Sequence, residues 1–263
     1  MLYEFLLIWG AAAVGMLMLW AWQVRSRDAS LVDVAWAYGV GLAGVVTLAL
    51  GAGDPLRRLV LALLIGIWSL RLGTHLLRDR ILKAHGEDGR YAHWRADAGP
   101  RWNRIAAIFF QAQALFVALF AIPAVVLAGD VRPFGNGTDL AALVIWVTGV
   151  VIETTADAQL ARWRSDPANR GRTCRSGWWR FSRHPNYFGE WLQWCAWPVF
   201  ALGCNQAGWL WLHPVLVLLF LLLLTGIPHT ERRALASRGE DYRRYQRATS
   251  PFIPWPPRTE IPT

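Results

Sequence analysis

Long apolar runs dominate this chain and decide what it can fold into. Apolar residues make up 54% of its 263 residues, more than the single core of a soluble domain this size would use. A run of about 20 apolar residues crosses the hydrocarbon core of a bilayer, and only helices or closed barrels satisfy the backbone there. We therefore predict an all-α polytopic membrane bundle with seven spans, at residues 2–22, 31–50, 59–77, 105–127, 140–160, 187–202 and 209–226.

The net charge of +9 is distributed unevenly along the chain. Arginines concentrate in alternate connections, around residues 25–27, 78–104, 162–183 and 232–258, whereas the opposite loops hold only Arg57, Arg58 and Arg132. The positive-inside rule predicts that the arginine-rich side is cytoplasmic, with the amino terminus outside and the carboxyl terminus inside. Contact with anionic lipid headgroups explains much of the basic charge. We therefore expect membrane lipids, and no nucleic acid, as partners, and the three cysteines show no metal-binding spacing.

Two carboxylates near the end of the fifth predicted span are candidates for function. Glu153 and Asp157 lie four residues apart and share a helix face, which Arg164 continues seven residues later. Ionisable side chains at membrane depth are expensive and mark functional sites by default. The alternative is a structural ion-pair network with nearby arginines.

A loop rich in glycine and arginine follows at residues 166–177. Proline, glycine and asparagine there are turn signals, and the arginines among them include Arg172. A guanidinium is a planar fork that matches phosphate oxygens two at a time. The loop therefore favours phosphate binding, whereas positive-inside charge alone would not explain the interleaved glycines.

The next helix is predicted to begin around Ser182 and Pro185, which suit a cap and a first turn. Free backbone N–H groups at a helix start favour an anion, and His184 is placed to add a donor. Asn186 is suited to bind an amide, and Glu190 follows one turn later. The alternative for His184 and Asn186 is capping and anchoring of the loop.

Residues 183–190, preceded by residues 176–179 and followed by Trp194, resemble the carboxyl-terminal signature of the steroid 5-alpha-reductase and sterol-reductase superfamily. The chain as a whole is similar to the bacterial branch of that superfamily. Residues 30–36, 166–171 and 242–255 support the resemblance, which covers nearly the whole chain.

The resemblance implies an NADPH-dependent oxidoreductase that transfers hydride to a carbon–carbon double bond of a lipid-soluble, steroid-like or isoprenoid-like enone. It implies one transmembrane domain in a bacterial inner membrane, with a cytoplasmic cofactor site. Residues 1–130 would serve the substrate and residues 139–263 the cofactor. By position in the motifs, the cofactor-binding residues would be Asp157, Arg164, Arg172, Arg183, His184, Asn186, Tyr187, Glu190, Trp194, Glu231 and Tyr242.

One position departs from the steroid reductases. They carry Ala-Trp-x-x-Gln-Glu in an early helix, whose glutamate acts on the substrate ketone, whereas this chain reads Tyr38-Gly39-Val40 after Ala35-Trp36-Ala37. The acid must then come from another residue, and we consider Asp33, His75 and Tyr38 as catalytic candidates. Asp33 also has capping-box spacing from Ser30, which would give it a structural role instead.

Two other functions compete with reduction. Isoprenylcysteine carboxyl methyltransferases share an Arg-His-Pro-x-Tyr-x-Gly core, as at residues 183–189, and a glutamate on a tail helix, as at Glu231. Such an enzyme would bind S-adenosylmethionine, which has no phosphate for Arg172 to hold. A non-catalytic lipid-binding scaffold is the third possibility, although it gives no use for Glu153, Asp157 and Glu190.

Overall fold

The computed structural model describes residues 1–82, 86–204, 207–224 and 226–258, and across them the chain is helical. Strand-like pairing within these ranges is limited to one isolated bridge between Ser182 and Ser250. Lys83, within the basic segment 78–104, and residue 225 of the last predicted span lie outside the described residues. The chain divides into two compact units, Met1–Phe134 and Gly135–Thr263. The roles assigned to the two halves stay a prediction.

Five α-helices build the amino-terminal unit. They are α1 (Leu2–Ser26), α2 (Leu31–Leu50), α3 (Pro55–Leu77), α4 (Gly89–Ala98) and α5 (Trp102–Leu127), and a π-helical turn at Arg78–Leu82 extends α3. Helix α2 packs against α3 and α5, while α1 packs mainly against α5. Asp54 begins α3 by accepting the backbone N–H of Arg57, with Pro55 in the first turn where its missing N–H costs nothing.

Small residues let α2 and α3 approach each other closely. The Ser69 hydroxyl donates to the carbonyl of Ala37 at 2.9 Å, and a Cβ built at Gly41 would collide with the Ser69 side chain. Further along, a Cβ at Gly73 would lie 2.6 Å from the ring of Tyr38. This interface has the small-residue packing of membrane helices, and it places the Tyr38 ring against the backbone of α3.

A buried ion pair connects the start of α3 with the segment that follows α5. The side chain of Arg57 is fully buried and lies 3.3 Å from the Asp130 carboxylate. It also donates to the backbone carbonyls of Arg132 at 3.0 Å and Pro133 at 3.4 Å. The first turn of α3 is thereby joined to the segment after α5.

The carboxyl-terminal unit contains α6 (Gly137–Ser165), α7 (Pro185–Phe200), α8 (Ala207–Leu210), α9 (Leu212–Leu219) and α10 (Ile227–Ala248). Two 3-10 turns, Pro167–Asn169 and Gly177–Arg180, lie between α6 and α7, and a π-helical turn at Phe220–Leu224 extends α9. Asn136 and Asp139 form a capping box at the start of α6. The antiparallel pair α6 and α7 is the main packing interface of the unit.

Six helical stretches of the described chain are long and apolar enough to cross a membrane: Leu2–Ser26, Leu31–Leu50, Pro55–Leu82, Gly89–Leu127, Gly137–Ser165 and Gly208–Ala248. The predicted class, an all-α polytopic membrane bundle, is confirmed. The sixth predicted span, 187–202, corresponds to α7, which has 16 residues. At about 1.5 Å per residue such a helix is roughly 24 Å long, shorter than the hydrocarbon core.

Candidate functional site

The candidate site is built on a close crossing of α6 and α7. A Cβ built at Gly149 would lie 2.6 Å from the carbonyl oxygen of Gly189, and one built at Gly189 would lie 2.6 Å from the carbonyl oxygen of Gly149. Side chains at these two positions would push the helices apart, because backbone atoms cannot turn aside. Two glycines therefore bring the polar faces of α6 and α7 within hydrogen-bonding reach.

Two pairs of polar side chains follow this crossing in register. The Asn186 amide donates to the Asp157 carboxylate at 3.0 Å, and the buried Gln193 amide donates to the buried Glu153 carboxylate at 2.7 Å. The spacings 149, 153, 157 on α6 and 186, 189, 193 on α7 place each set on one helix face. Both carboxylates of α6 thus meet an amide of α7.

Glu190 and Trp194 form a third polar contact, one turn apart on α7. The Trp194 indole N–H donates to the Glu190 carboxylate at 2.8 Å, and Trp194 is almost fully buried. Its ring centroid lies 4.8 Å from that of His213 on α9. These contacts orient a carboxylate and an indole beside Asn186.

Three of the predicted cofactor residues instead gather around a fourth, Glu231 of α10. Glu231 accepts from Arg183 at 2.6 Å and from Tyr242 at 3.4 Å, and the His184 ring nitrogen lies 3.4 Å away. The amide of Gln246 adds a further donor at 2.9 Å. The Arg183 guanidinium also donates to two backbone carbonyls, one in the last turn of α10 at residue 246 and one just after it at residue 249. These side chains hold α10 and the chain after it against the start of α7.

Burial of His184 favours its neutral form. Burial lowers its pKa below the ordinary value of 6.5 and outweighs the hydrogen bond and charge of Glu231, which act in the opposite direction. Its ring stacks on Tyr187 with centroids 5.4 Å apart, and the Tyr187 hydroxyl lies 3.2 Å from that of Thr230. The His184 and Tyr187 rings therefore form one stacked pair at the start of α7.

Among the arginines from the end of α6 to the start of α7, two bind carboxylates of α10. Arg175 donates to the Asp241 carboxylate at 2.9 Å, and Arg183 is bound to Glu231. Arg164 and Arg172, both predicted to bind the cofactor, are exposed. Exposed guanidinium groups on a loop that Asp241 anchors are suited to meet a phosphate.

The three catalytic candidates lie in the amino-terminal unit, and each has its own partners. Asp33 accepts from Arg90 at 2.8 Å and from Gln113 at 3.3 Å, and it also pairs with Arg80. The Tyr38 hydroxyl lies 3.2 Å from that of Thr74. The half-exposed His75 lies 3.5 Å from Asp79.

The structure does not contain the capping box that the spacing of Ser30 and Asp33 suggested. The side chain of Ser30, the cap residue of α2, makes no capping hydrogen bond. Its hydroxyl instead accepts the backbone N–H of Asp88 at 2.7 Å. Asp33 therefore belongs to an ion-pair network with arginines that follow α3 and begin α4.

Sequence reasoning missed three contributors to the site: Gly149, Gly189 as a packing residue, and Gln193. Each lies three or four residues from a polar residue that the sequence did single out, so helical spacing was the available signal. The spacing alone does not say which helix faces which, because that depends on the tertiary contact.

Comparisons with known proteins agree with this architecture. Residues 19–249 match the family described as "Protein of unknown function (DUF1295)". The chain is 28% identical over 215 residues to an uncharacterized protein of Schizosaccharomyces pombe, covering 72% of this chain and 62% of that protein.

Two reductases are also similar to the chain. A steroid 5-alpha-reductase, DET2, of Arabidopsis thaliana is 29% identical over 117 residues, covering 42% of this chain and 40% of that enzyme. A Delta(14)-sterol reductase, erg24, of Schizosaccharomyces pombe is 29% identical over 145 residues, covering 49% of this chain and 33% of that enzyme. The chain thus spans less than two thirds of the length of each relative.

Proposed function

Because the chain belongs to the DUF1295 family and to the steroid 5-alpha-reductase and sterol-reductase superfamily, we propose that it is an NADPH-dependent membrane reductase. Its substrate would be an apolar lipid with a carbon–carbon double bond, of the steroid, sterol or isoprenoid enone kind. It would work in a bacterial inner membrane, with the cofactor site on the cytoplasmic side.

One observation carries the proposal: the Asp157–Asn186 pair at 3.0 Å. The Asn186 amide nitrogen is turned toward Asp157, which leaves its carbonyl oxygen to accept from the N–H of a carboxamide. A nicotinamide ring carries such a carboxamide, and Asp157 would hold Asn186 in the accepting orientation. Glu190 and Trp194, one and two turns further along α7, would border the same ring.

The phosphates would be held by the exposed arginines, Arg172 in the loop and Arg164 in the last turn of α6. Their donor chemistry fits a pyrophosphate or a 2′-phosphate. Arg183, His184, Glu231 and Tyr242 would act indirectly, by keeping α10 closed over the start of α7. When bound, NADPH would supply hydride, and the protein would supply placement, exclusion of water and a proton.

Among the three candidates for the proton we favour Tyr38. Asp33 is occupied by two arginines, and His75 is paired with Asp79 at a half-exposed position. Tyr38 lies against α3 with its hydroxyl beside Thr74. Tyr38→Phe should slow NADPH oxidation with an accepted lipid and leave cofactor binding intact; an unchanged rate would exclude this role.

A thermal-shift titration of the detergent-purified protein tests the cofactor assignment. A ligand at about 100 times its Kd stabilises the folded state by about 2.7 kcal/mol, or about 5 to 10 °C for a chain of this size. NADPH should produce such a shift. Stabilisation by S-adenosylmethionine alone would instead assign the site to a methyltransferase, and no shift with any nucleotide would favour a scaffold.

Single substitutions then test the residues. Asn186→Ala and Arg172→Ala should each reduce the NADPH shift, and Arg172→Ala should also narrow the preference for NADPH over NADH if it meets the 2′-phosphate. Asn103→Ala and Arg232→Ala, at exposed positions outside the proposed site, are matched controls. Unchanged NADPH affinity in both site variants would remove the assignment.

A further inference from the structure

An open cavity lies on the face of α6 that points away from the proposed cofactor site. It has a volume of about 340 Å³ and is lined by Gln159, Gly177, Trp178, Arg180 and Phe181. Gln159 is two residues beyond Asp157, so the two side chains point to nearly opposite sides of α6. The proposed nucleotide site therefore does not account for this cavity.

The walls of the cavity are held by specific contacts. The Gln159 side-chain carbonyl accepts the backbone N–H of Trp178 at 2.9 Å, and the Trp178 indole N–H donates to the Thr155 hydroxyl at 2.8 Å. Gly177 has a φ of +59°, and a Cβ there would lie 2.3 Å from the Gln159 amide. The turn can thus fold over Gln159 only because residue 177 is glycine.

The lining combines one cation with exposed aromatic surface. Arg180 is exposed, its guanidinium lies 6.0 Å from the ring centroid of Phe181, and Phe181 is itself 38% exposed. Tryptophan and other aromatic side chains concentrate at the headgroup level of membranes. A guanidinium beside an aromatic ring, in a cavity at the end of a spanning helix, suits an anionic headgroup whose remainder is apolar.

An apolar track on α6 leads to this cavity. Val144, Val147 and Val151 are 65%, 46% and 51% exposed and recur at helical spacing. The same stripe continues to Thr155 and then to Gln159. A molecule that placed an anionic group at Arg180 would therefore find an apolar path for hydrocarbon chains along the same helix.

We propose that this cavity binds the phosphate headgroup of an anionic glycerophospholipid, with its acyl chains lying along the exposed valines of α6. Arg180 would bind the phosphate, and Trp178 and Phe181 would lie at the level of the glycerol. The site is independent of the proposed reductase chemistry, and it would hold a structural lipid at the loop that carries Arg172.

Native mass spectrometry of the full-length protein in neutral detergent tests the proposal. Phosphatidylglycerol and phosphatidylcholine with identical acyl chains are added in equal amounts, and retained lipid is measured. The wild type should retain one phosphatidylglycerol in preference to phosphatidylcholine. Arg180→Gln should lower phosphatidylglycerol retention about five-fold, the effect expected of one cation at a membrane surface, while Arg180→Lys should retain most of it.

Arg232→Gln, the same charge change at an exposed position on α10, is the control and should retain the lipid. Equal retention by Arg180→Gln and the wild type would overturn the proposal, as would equal binding of both lipids by the wild type. Inorganic phosphate alone should not raise the melting temperature as phosphatidylglycerol does. Equal stabilisation by free phosphate would make the cavity a simple anion site and refute the lipid assignment.

Discussion

The close crossing of α6 and α7 gives a sharp prediction for Gly149→Ala. The added methyl group would lie 2.6 Å from the Gly189 carbonyl oxygen, 2.8 Å from Cγ of Gln193 and 2.9 Å from its backbone nitrogen. Carbon–oxygen contacts are ordinarily about 3.3 Å or longer, so the two helices must separate by roughly 0.7 Å. Two of the three obstacles are backbone atoms, which a change of side-chain rotamer cannot move.

The cost follows from two opposing effects. Overpacking a tight interface destabilises by about 1–3 kcal/mol, and a backbone obstacle places this case in the upper part of that range. Alanine is favoured over glycine inside a helix by about 1 kcal/mol. We therefore expect a net loss of about 2 kcal/mol, which lowers the melting temperature by about 4–8 °C for a chain of this size.

Separation of the helices should also weaken NADPH binding. The Asn186–Asp157 hydrogen bond, now 3.0 Å, would stretch beyond the range in which such bonds are effective. The assay is thermal unfolding in detergent with and without NADPH. Gly149→Ala should lose melting temperature and also most of the NADPH-dependent shift.

Gly10→Ala is the matched control, because Gly10 is also inside a helix and a Cβ there meets no described atom within 4 Å. It should leave stability unchanged or raise the melting temperature by a few degrees through the gain in helix propensity. If Gly149→Ala proved as stable as Gly10→Ala and bound NADPH normally, the crossing would not be the constraint that positions Asp157 and Asn186.

Two further predictions concern buried polar groups. His184 has a lowered pKa in the folded protein, so the unfolded chain binds the proton more tightly and stability should fall as pH drops below 6.5. The variant His184→Gln should show a smaller decline in melting temperature over that pH range. A decline as large as that of the wild type would contradict this role for His184. The variant Arg57→Met should lose about 3 kcal/mol of unfolding free energy, because Asp130 then loses a buried partner. Denaturant titration measures this loss. A loss no greater than that caused by replacing an exposed arginine with methionine would show that the ion pair is dispensable.

The fold could be predicted from the sequence wherever an apolar run within one helix was long enough to specify a membrane span by itself. Long apolar runs fix spanning helices regardless of their neighbours, and Pro185 marks the start of α7, where the prediction placed it. Whether α7 spans the membrane is harder to predict from the sequence. Its apolar run is short, and whether 16 residues cross a bilayer depends on what surrounds them rather than on their own composition.

The site could be predicted only as a set of candidates, because partners distant in sequence determine what each residue does. Arg183 matched a cofactor motif, yet its guanidinium is bound to Glu231, 48 residues away. The Ser30 hydroxyl accepts from Asp88, 58 residues away, rather than capping its own helix. Helical spacing reports neighbours within one element, and it carries no information on contacts of this length.

The loop before α7 receives its hydrogen-bond partners from residues that are synthesised much later. The Phe181 carbonyl accepts the Trp255 N–H at 2.9 Å, the Arg183 N–H donates to the Ser250 carbonyl at 2.8 Å, and the Ser182 hydroxyl donates to the Phe252 carbonyl at 2.7 Å. At ribosomal rates of about 5–20 residues per second, these acceptors and donors wait on the order of 4–14 s for their partners. The residues of α7, Pro185–Phe200, are synthesised early in that interval, while residues 181–183 still lack these hydrogen bonds. The helices α6 and α7 are therefore synthesised before residues 250–255, which complete the hydrogen bonding of the loop in front of α7.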